Sequence, residues 1–311
     1  MGQFKELSTR QISQLSDSEK YEYQLEALEY YGNLKNQLDG FEKKEGIHSL
    51  LLKLIKLYPI RIHKLNEIEG PSDGKNCIFS ANHSNANDFI TLGQVIKNHF
   101  FIMADFTMIN DPLVDALNRL NGCIYIDRMS RISGKNAIEQ AIDGVNQGYN
   151  MAIFPESTWN LFIDRLMLPR KWGDVVVAQE TKRPIIPIGI VYNCNNCFVK
   201  FGEPFYVDQN VDKKIASEEL GKRMEQLRKD IIDSPKYKLL YKDIPYEEWL
   251  IKTIKSYKRF DVEYEMSMIR KTEDINQEEL DKILEFGERI HPVDKIEKNL
   301  ENAKVNYRIT R

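Results

Sequence analysis

Six short apolar runs, at residues 77–81, 100–103, 123–126, 151–154, 185–191 and 198–201, recur between about Ile68 and Ile232. Stretches of helical character separate them, at 88–98, 111–120, 133–147 and 172–181. The runs read as buried strands, and their alternation with helices predicts an α/β fold: a mixed sheet flanked by helices, with helical N- and C-terminal additions. Pro155, Pro169, Pro184, Pro187 and Pro204 punctuate the pattern, and no internal repeat is visible. The change of texture on either side divides the chain into an N-terminal helical segment over 1–66, the α/β domain over 67–234 and a charged helical extension over 235–311.

In the first segment, Ser16 and Glu19 have the spacing of a capping box for a helix running to Leu38. A second helix over 46–58 places Ile47, Leu50, Leu51, Leu54 and Tyr58 on one face, with Lys43, Lys44, Lys53, Lys56, Arg61 and Lys64 around it. That pattern suits a membrane interface and equally a helix packed on the protein's own core. In the extension, Trp249, Leu250, Ile254, Tyr257 and Phe260 offer one apolar face for docking.

Composition narrows the function classes. With 29% charged residues and a net charge of −3, the chain does not read as a general nucleic-acid binder. No window approaches the roughly 18 apolar residues of a membrane span. The first residues lack the basic-then-apolar layout of a signal peptide, so a cytoplasmic location is expected. Cys77 and Cys123 fall in apolar runs and read as buried small hydrophobes. Cys194 and Cys197 form a single Cys-Asn-Asn-Cys, without the second pair or nearby histidine of a zinc site, and no metal is predicted.

Four stretches carry chemistry-bearing residues. After the apolar run ending at Ala81 comes Asn82-His83-Ser84-Asn85-Ala86-Asn87-Asp88. This places His83 where a strand gives way to a loop and Asp88 where a helix begins. A carboxylate there accepts backbone N–H bonds and, if the loop folds back, orients the imidazole and stabilises its protonated form. Gly122 to Arg128 delivers a guanidinium to a strand end, suited to phosphate. Phe154-Pro155-Glu156-Ser157-Thr158 runs from a strand into a turn bearing a carboxylate and hydroxyls. Ile185 to Tyr192 is an apolar strand broken by Pro187.

Taken in order, these blocks resemble the lysophospholipid and glycerol-phosphate acyltransferase family, typified by 1-acylglycerol-3-phosphate acyltransferase. The family's Asn-His-four residues-Asp, Gly-x-x-Phe-Ile-x-Arg, Phe-Pro-Glu-Gly-Thr-Arg and Val-Pro-Ile blocks correspond to Asn82–Asp88, Gly122–Arg128, Phe154–Thr158 and Ile186–Ile188. Phe201-Gly202-Glu203-Pro204 looks like the family's later Gly-x-Pro strand end. The resemblance covers about residues 68–232.

The resemblance implies transfer of a fatty acyl group from acyl-CoA or acyl carrier protein to the hydroxyl of a lysophospholipid or related glycerolipid. It implies no resident cofactor, a lipid acceptor, a membrane surface as partner and a peripheral position on the inner face of the membrane. His83 and Asp88 would be catalytic, while Gly122, Arg128, Glu156, Ser157, Thr158 and Trp159 would bind substrate, Glu156 by organising neighbouring donors or a sugar hydroxyl. Hydrolysis of the thioester, or lipid binding without chemistry, are the competing readings of the same residues. Two positions depart from the pattern. Ser157 stands for a glycine, which limits positive φ, and Trp159 stands for an arginine, which removes a phosphate donor. An indole suits stacking on a sugar ring, so an acceptor larger than lysophosphatidate is expected. Arg165, Arg170 or Lys171 replaces the lost cation only if the loop after Asn160 folds back.

Overall fold

A computed structural model describes residues 50–290, with breaks at 52, 56–57, 69, 72, 107, 109–116, 119, 163–164, 256–261 and 270–274, together with scattered residues between 7 and 26. In chain order the strands are β1 (Arg61–Lys64), β2 (Ile78–Ala81), β3 (Phe100–Asp105), β4 (Cys123–Ile126), β5 (Asn150–Ile153), β6 (Ile185–Asn193) and β7 (Asn196–Phe201). The helices are α1 (Asp88–Val95), α2 (Arg131–Asn146), α3 (Gly173–Thr181), α4 (Lys213–Asp233), α5 (Pro235–Leu240), α6 (Tyr246–Lys255), α7 (Val262–Ser267) and α8 (Gln277–Ile290). The chain divides into two compact units, one of residues 1–53, 98–152 and 294–311, the other of residues 54–97 and 153–293.

The first unit holds three parallel strands. β3 lies between β5 and β4, with Phe100 level with Asn150 and Ile102 level with Cys123. Phe100, Phe101, Ile124 and Met151 are fully buried, as expected of parallel strands covered on both faces. Gly122 opens β4 at φ 93, a left-handed conformation that glycine adopts without Cβ strain. α2 packs on β4, and Ser130 caps it by accepting the Ser133 N–H.

The second unit is mixed. β2 pairs parallel with β6, β6 antiparallel with β7, and β7 parallel with β1. α3 packs on β2 and β6, and α4 on β6 and β7. Gly189 lets α4 approach closely, since a Cβ there would stand 2.9 Å from Leu227 Cβ. β1 and α4 were not anticipated as distinct elements. The other described strands fall within a residue or two of the apolar runs.

The C-terminal helices belong to this second unit and build part of its core. Leu250, Ile254, Val262, Met266, Leu280 and Ile283 pack with Trp159, Leu161, Phe162 and Leu168. Leu250 and Ile254 are fully buried, as their shared face predicted; Tyr257 and Phe260 lie outside the described residues. The helices expected over 16–38 and 111–120 lie largely outside them too. In the 46–58 stretch Leu51 is buried, whereas Leu50 and Leu54 are 57% and 55% exposed.

Candidate active site

His83 lies two residues beyond the end of β2 and Asp88 is the first residue of α1. The loop between them folds back. The His83 Nδ1 and Asp88 Oδ2 lie 2.7 Å apart, and the same Oδ2 accepts the Ser84 and Asn85 N–H groups at 2.7 and 2.9 Å. Asp88 is fully buried, while the imidazole is 20% exposed. Three polar groups converging on one carboxylate oxygen orient the ring, with Nδ1 turned toward Asp88 and Nε2 away from it. Among the described residues nothing hydrogen-bonds Nε2. The ring stacks on Phe154 at 4.3 Å, and Trp159 stands edge-on at 5.9 Å.

The end of β2 is pinned to its neighbour. The Asn82 side chain donates to the Ile190 carbonyl at 3.0 Å and accepts the Ile190 N–H at 2.6 Å, which sets where His83 leaves the sheet.

Glu156 lies beneath this loop and is 1% exposed. Its Oε2 accepts the His83 N–H at 2.5 Å and its Oε1 accepts the Leu168 N–H at 2.6 Å. Burial pushes its carboxyl up to about 7. The two N–H bonds, the Arg228 guanidinium and His83 act in the opposite direction. Arg228, on α4, has its Nε and Nη1 enclosed without hydrogen-bond partners, and burial lowers its own basicity. Sequence reasoning missed Arg228, because nothing local marks a helical arginine as buried.

The turn after Phe154 explains one departure from the acyltransferase pattern. Ser157 takes the glycine's position at φ 59, so the left-handed conformation survives without the glycine, at a cost of about 1–2 kcal/mol. Thr158 donates to Glu265 Oε2 at 2.7 Å, which ties the turn to α7.

The loop after Asn160 does fold back. The Asn160 N–H donates to the His83 carbonyl at 2.7 Å, its side-chain amide holds the Arg165 carbonyl at 3.0 Å, and the Lys171 N–H reaches the Pro155 carbonyl at 2.8 Å. Of the three cations considered there, Arg170 is committed. Its Nη2 pairs with Asp174 and its Nη1 donates to the Ser217 carbonyl at 2.6 Å, while Asp174 also accepts the Ser80 hydroxyl at 2.7 Å. Lys171 is exposed. Arg165 keeps an enclosed Nε with no partner. The expectation that Trp159 presents an open face to a sugar is not met. The indole is 5% exposed and packed in the core shared with α6, α7 and α8.

Arg128 and Gly122 belong to the first unit, where the Arg128 Nε donates to the buried Asp105 carboxylate at 2.6 Å. Among the described residues no cluster of histidine, cysteine and carboxylate groups suits a metal. Cys77, Cys123 and Cys197 are buried and Cys194 is exposed, all as free thiols. Burial pushes the Cys197 thiol up to about 12, which removes it from thiolate chemistry near neutral pH.

These features define a class: an α/β protein with a carboxylate-oriented histidine at a strand end, its Nε2 without a hydrogen-bond partner among the described residues. The Acyltransferase family model matches residues 59–191 of the chain. It is 31% identical over 125 residues to the 1-acyl-sn-glycerol-3-phosphate acyltransferase of Borreliella burgdorferi, covering 40% of this chain and 49% of that one. It is 23% identical over 175 residues to the Saccharomyces cerevisiae protein of the same name, covering 52% and 56%. The chain thus spans about half the length of the curated relatives it matches. Among solved structures, the 1-acyl-sn-glycerophosphate (LPA) acyltransferase PlsC from Thermotoga maritima aligns with a TM-score of 0.49 at 16% identity, over 72% of this chain and 87% of that one.

Proposed function

We propose that this protein transfers a fatty acyl group from a thioester, acyl-CoA or acyl-carrier protein, to the free hydroxyl of a 1-acylglycerol 3-phosphate or a related lysophospholipid. The observation that carries the reading is the 2.7 Å contact between His83 Nδ1 and Asp88 Oδ2, which leaves Nε2 as the nitrogen to act as base. In the step it supports, the acceptor hydroxyl attacks the thioester carbonyl as His83 Nε2 takes its proton. Asp88 stabilises the imidazolium. The tetrahedral intermediate then expels the thiolate, which takes the proton back. The substrate hydroxyl fills the place that serine holds in a hydrolase triad, so no acyl-enzyme forms.

Glu156 contributes by holding the His83 and Leu168 amides. Arg165, with its enclosed and unpartnered Nε, is proposed as a cation for the acceptor phosphate; Arg128 is proposed for that role by its match to the family's second block alone. With Trp159 in the core, the argument for a sugar-bearing acceptor loses its basis, and the relatives' names favour the phosphomonoester. Membrane lipid as substrate fits the exposed Leu50 and Leu54. No described helix is long and apolar enough to cross a membrane, and a peripheral position on the inner face is proposed.

The test is acyl transfer from labelled acyl-CoA to a panel of lysolipids, read by mass spectrometry, for the wild type and His83→Ala. The variant is expected to stay folded and to lose at least about a hundredfold in turnover. Near-full turnover would exclude His83 as the base, and thioester cleavage independent of acceptor would replace transfer by hydrolysis.

A further inference from the structure

The β6–β7 hairpin runs on beyond the end of β2. Ala81 is level with Ile188, and β6 continues five residues further to Asn193, about 16 Å at a strand rise of roughly 3.3 Å per residue. Because β2 and β6 are parallel, the hairpin tip and His83 lie toward the same end of their strands. The tip is firmly built. Cys194 turns the chain at φ 53. The Asn193 side-chain amide donates to the Lys242 carbonyl at 2.9 Å, and its oxygen accepts the Lys242 N–H at 2.8 Å. The Arg61 N–H reaches the Asn195 carbonyl at 3.0 Å.

These ties frame a cleft of about 550 Å³ lined by Arg61, Lys242, Lys252, Tyr241, Leu239 and Cys194 among others, with no carboxylate in the lining. Glu248 holds Lys252 at 2.6 Å, and the Tyr241 hydroxyl lies 3.4 Å from Asp243. Arg61 and Lys242 pair with no carboxylate among the described residues. Tyr241 is 48% and Leu239 82% exposed. Two cations without a carboxylate partner, Arg61 and Lys242, beside an exposed aromatic ring fit a phosphate-bearing ligand with a flat apolar part, while Glu248 and Asp243 stay engaged with Lys252 and Tyr241.

We infer that this cleft binds a phosphate-bearing group and, resting on the acyl-transfer reading, that the group is the nucleotide end of the acyl donor. Along the strands the hairpin tip stands about 16 Å beyond the end of β2, a length on the scale of an extended pantetheine arm of coenzyme A. Tyr241 gives adenine a face, and Arg61 and Lys242 meet the phosphates. An anionic lipid headgroup shares the phosphate chemistry, and the experiment separates the two.

Cys194 is the exposed thiol and it lines the cleft, while the other three cysteines are buried. Its modification by a maleimide therefore reports occupancy without requiring turnover. The rate is measured on the full chain with adenosine 3′,5′-bisphosphate, with phosphatidylglycerol vesicles and with phosphatidylcholine vesicles. The bisphosphate is expected to slow labelling at least tenfold at saturation. Arg61→Gln and Lys242→Gln, each folded by circular dichroism, should weaken that protection about tenfold, the scale of one charge-assisted bond. They should also raise KM for acyl-CoA while leaving kcat and the acceptor KM unchanged. Protection by phosphatidylglycerol but not by the bisphosphate would retain the anion site and overturn the donor assignment. Protection by neither, or protection undiminished in both variants, would overturn the site. If the bisphosphate protects but no acyl transfer is found, the failure falls on the proposed function and not on the cleft.

Discussion

Replacing Glu156 by glutamine tests how the base is held. Both carboxylate oxygens accept a main-chain N–H, from His83 at 2.5 Å and from Leu168 at 2.6 Å. An amide keeps one acceptor and turns a donor toward the other N–H. The change loses a charge-assisted bond, about 1.5–3 kcal/mol, and strands a buried donor, about 1–3 kcal/mol. Against this, it removes a carboxyl that burial pushes from 4.5 to about 7, a displacement equivalent to about 3 kcal/mol of opposed ionisation. At pH 7 the variant should therefore be less stable by no more than about 3 kcal/mol.

The pH dependence separates the two contributions. Between 4.5 and about 7 the folded protein keeps a proton that the unfolded chain has released. Stability from this group is thus fully present below 4.5 and lost as pH rises through 7, by about 2 kcal/mol between pH 5 and pH 7. His83 and Arg228, the charged groups facing Glu156, are present in both proteins, so the difference between their profiles isolates Glu156. Urea unfolding at half-unit pH steps should show the wild type losing about 2 kcal/mol more than Glu156→Gln over that range. Turnover of the variant should fall about a hundredfold as the His83 backbone shifts. Parallel stability profiles would refute the argument that Glu156 is buried and titrates near neutrality.

Asp88→Asn should keep the fold but lower kcat by about 10⁴, because the imidazolium loses its counter-charge; steady-state kinetics beside circular dichroism checks it. Arg170→Met should cost about 3–5 kcal/mol by leaving Asp174 a buried unpaired charge, and adding Asp174→Asn should recover part of that in urea melts. Ser157→Gly should stabilise by about 1 kcal/mol, visible as a rise in Tm, because φ 59 no longer opposes a Cβ. Leu50→Asp with Leu54→Asp should weaken flotation on anionic vesicles with the fold intact, whereas Leu51→Asp should unfold the protein; unchanged flotation would remove this stretch from membrane contact.

The legible parts of the site were the local ones. His83 and Asp88 are five residues apart with a strand before and a helix after, so their pairing needs only a short loop. The turn at 157 was not legible in this way: serine there was read as limiting positive φ, yet Ser157 keeps the left-handed geometry at φ 59. What else escaped depended on remote partners. Whether Trp159 is a wall or a surface is decided by α6, α7 and α8, more than 85 residues later in the chain, whose charged pattern gave no sign of which segment they cover. Arg170 looked like a spare cation because Asp174 and Ser217, which consume it, carry no motif. The acidity of Glu156 follows from burial, and burial is a property of the assembled unit.

The site also has a local half and a remote half. Asp88 reaches His83 across five residues, but Glu156 reaches it across 73. Short loops close readily, whereas long-range contacts wait until intervening chain has been ordered. During folding the imidazole and its aspartate can therefore meet early, with the first turn of α1. The main chain of His83 is locked only when β2 and the segment from Glu156 to Leu168 come together. A partly assembled chain would hold an oriented histidine without a fixed place for it, so the onset of activity during refolding should follow the slowest structural phase rather than the first.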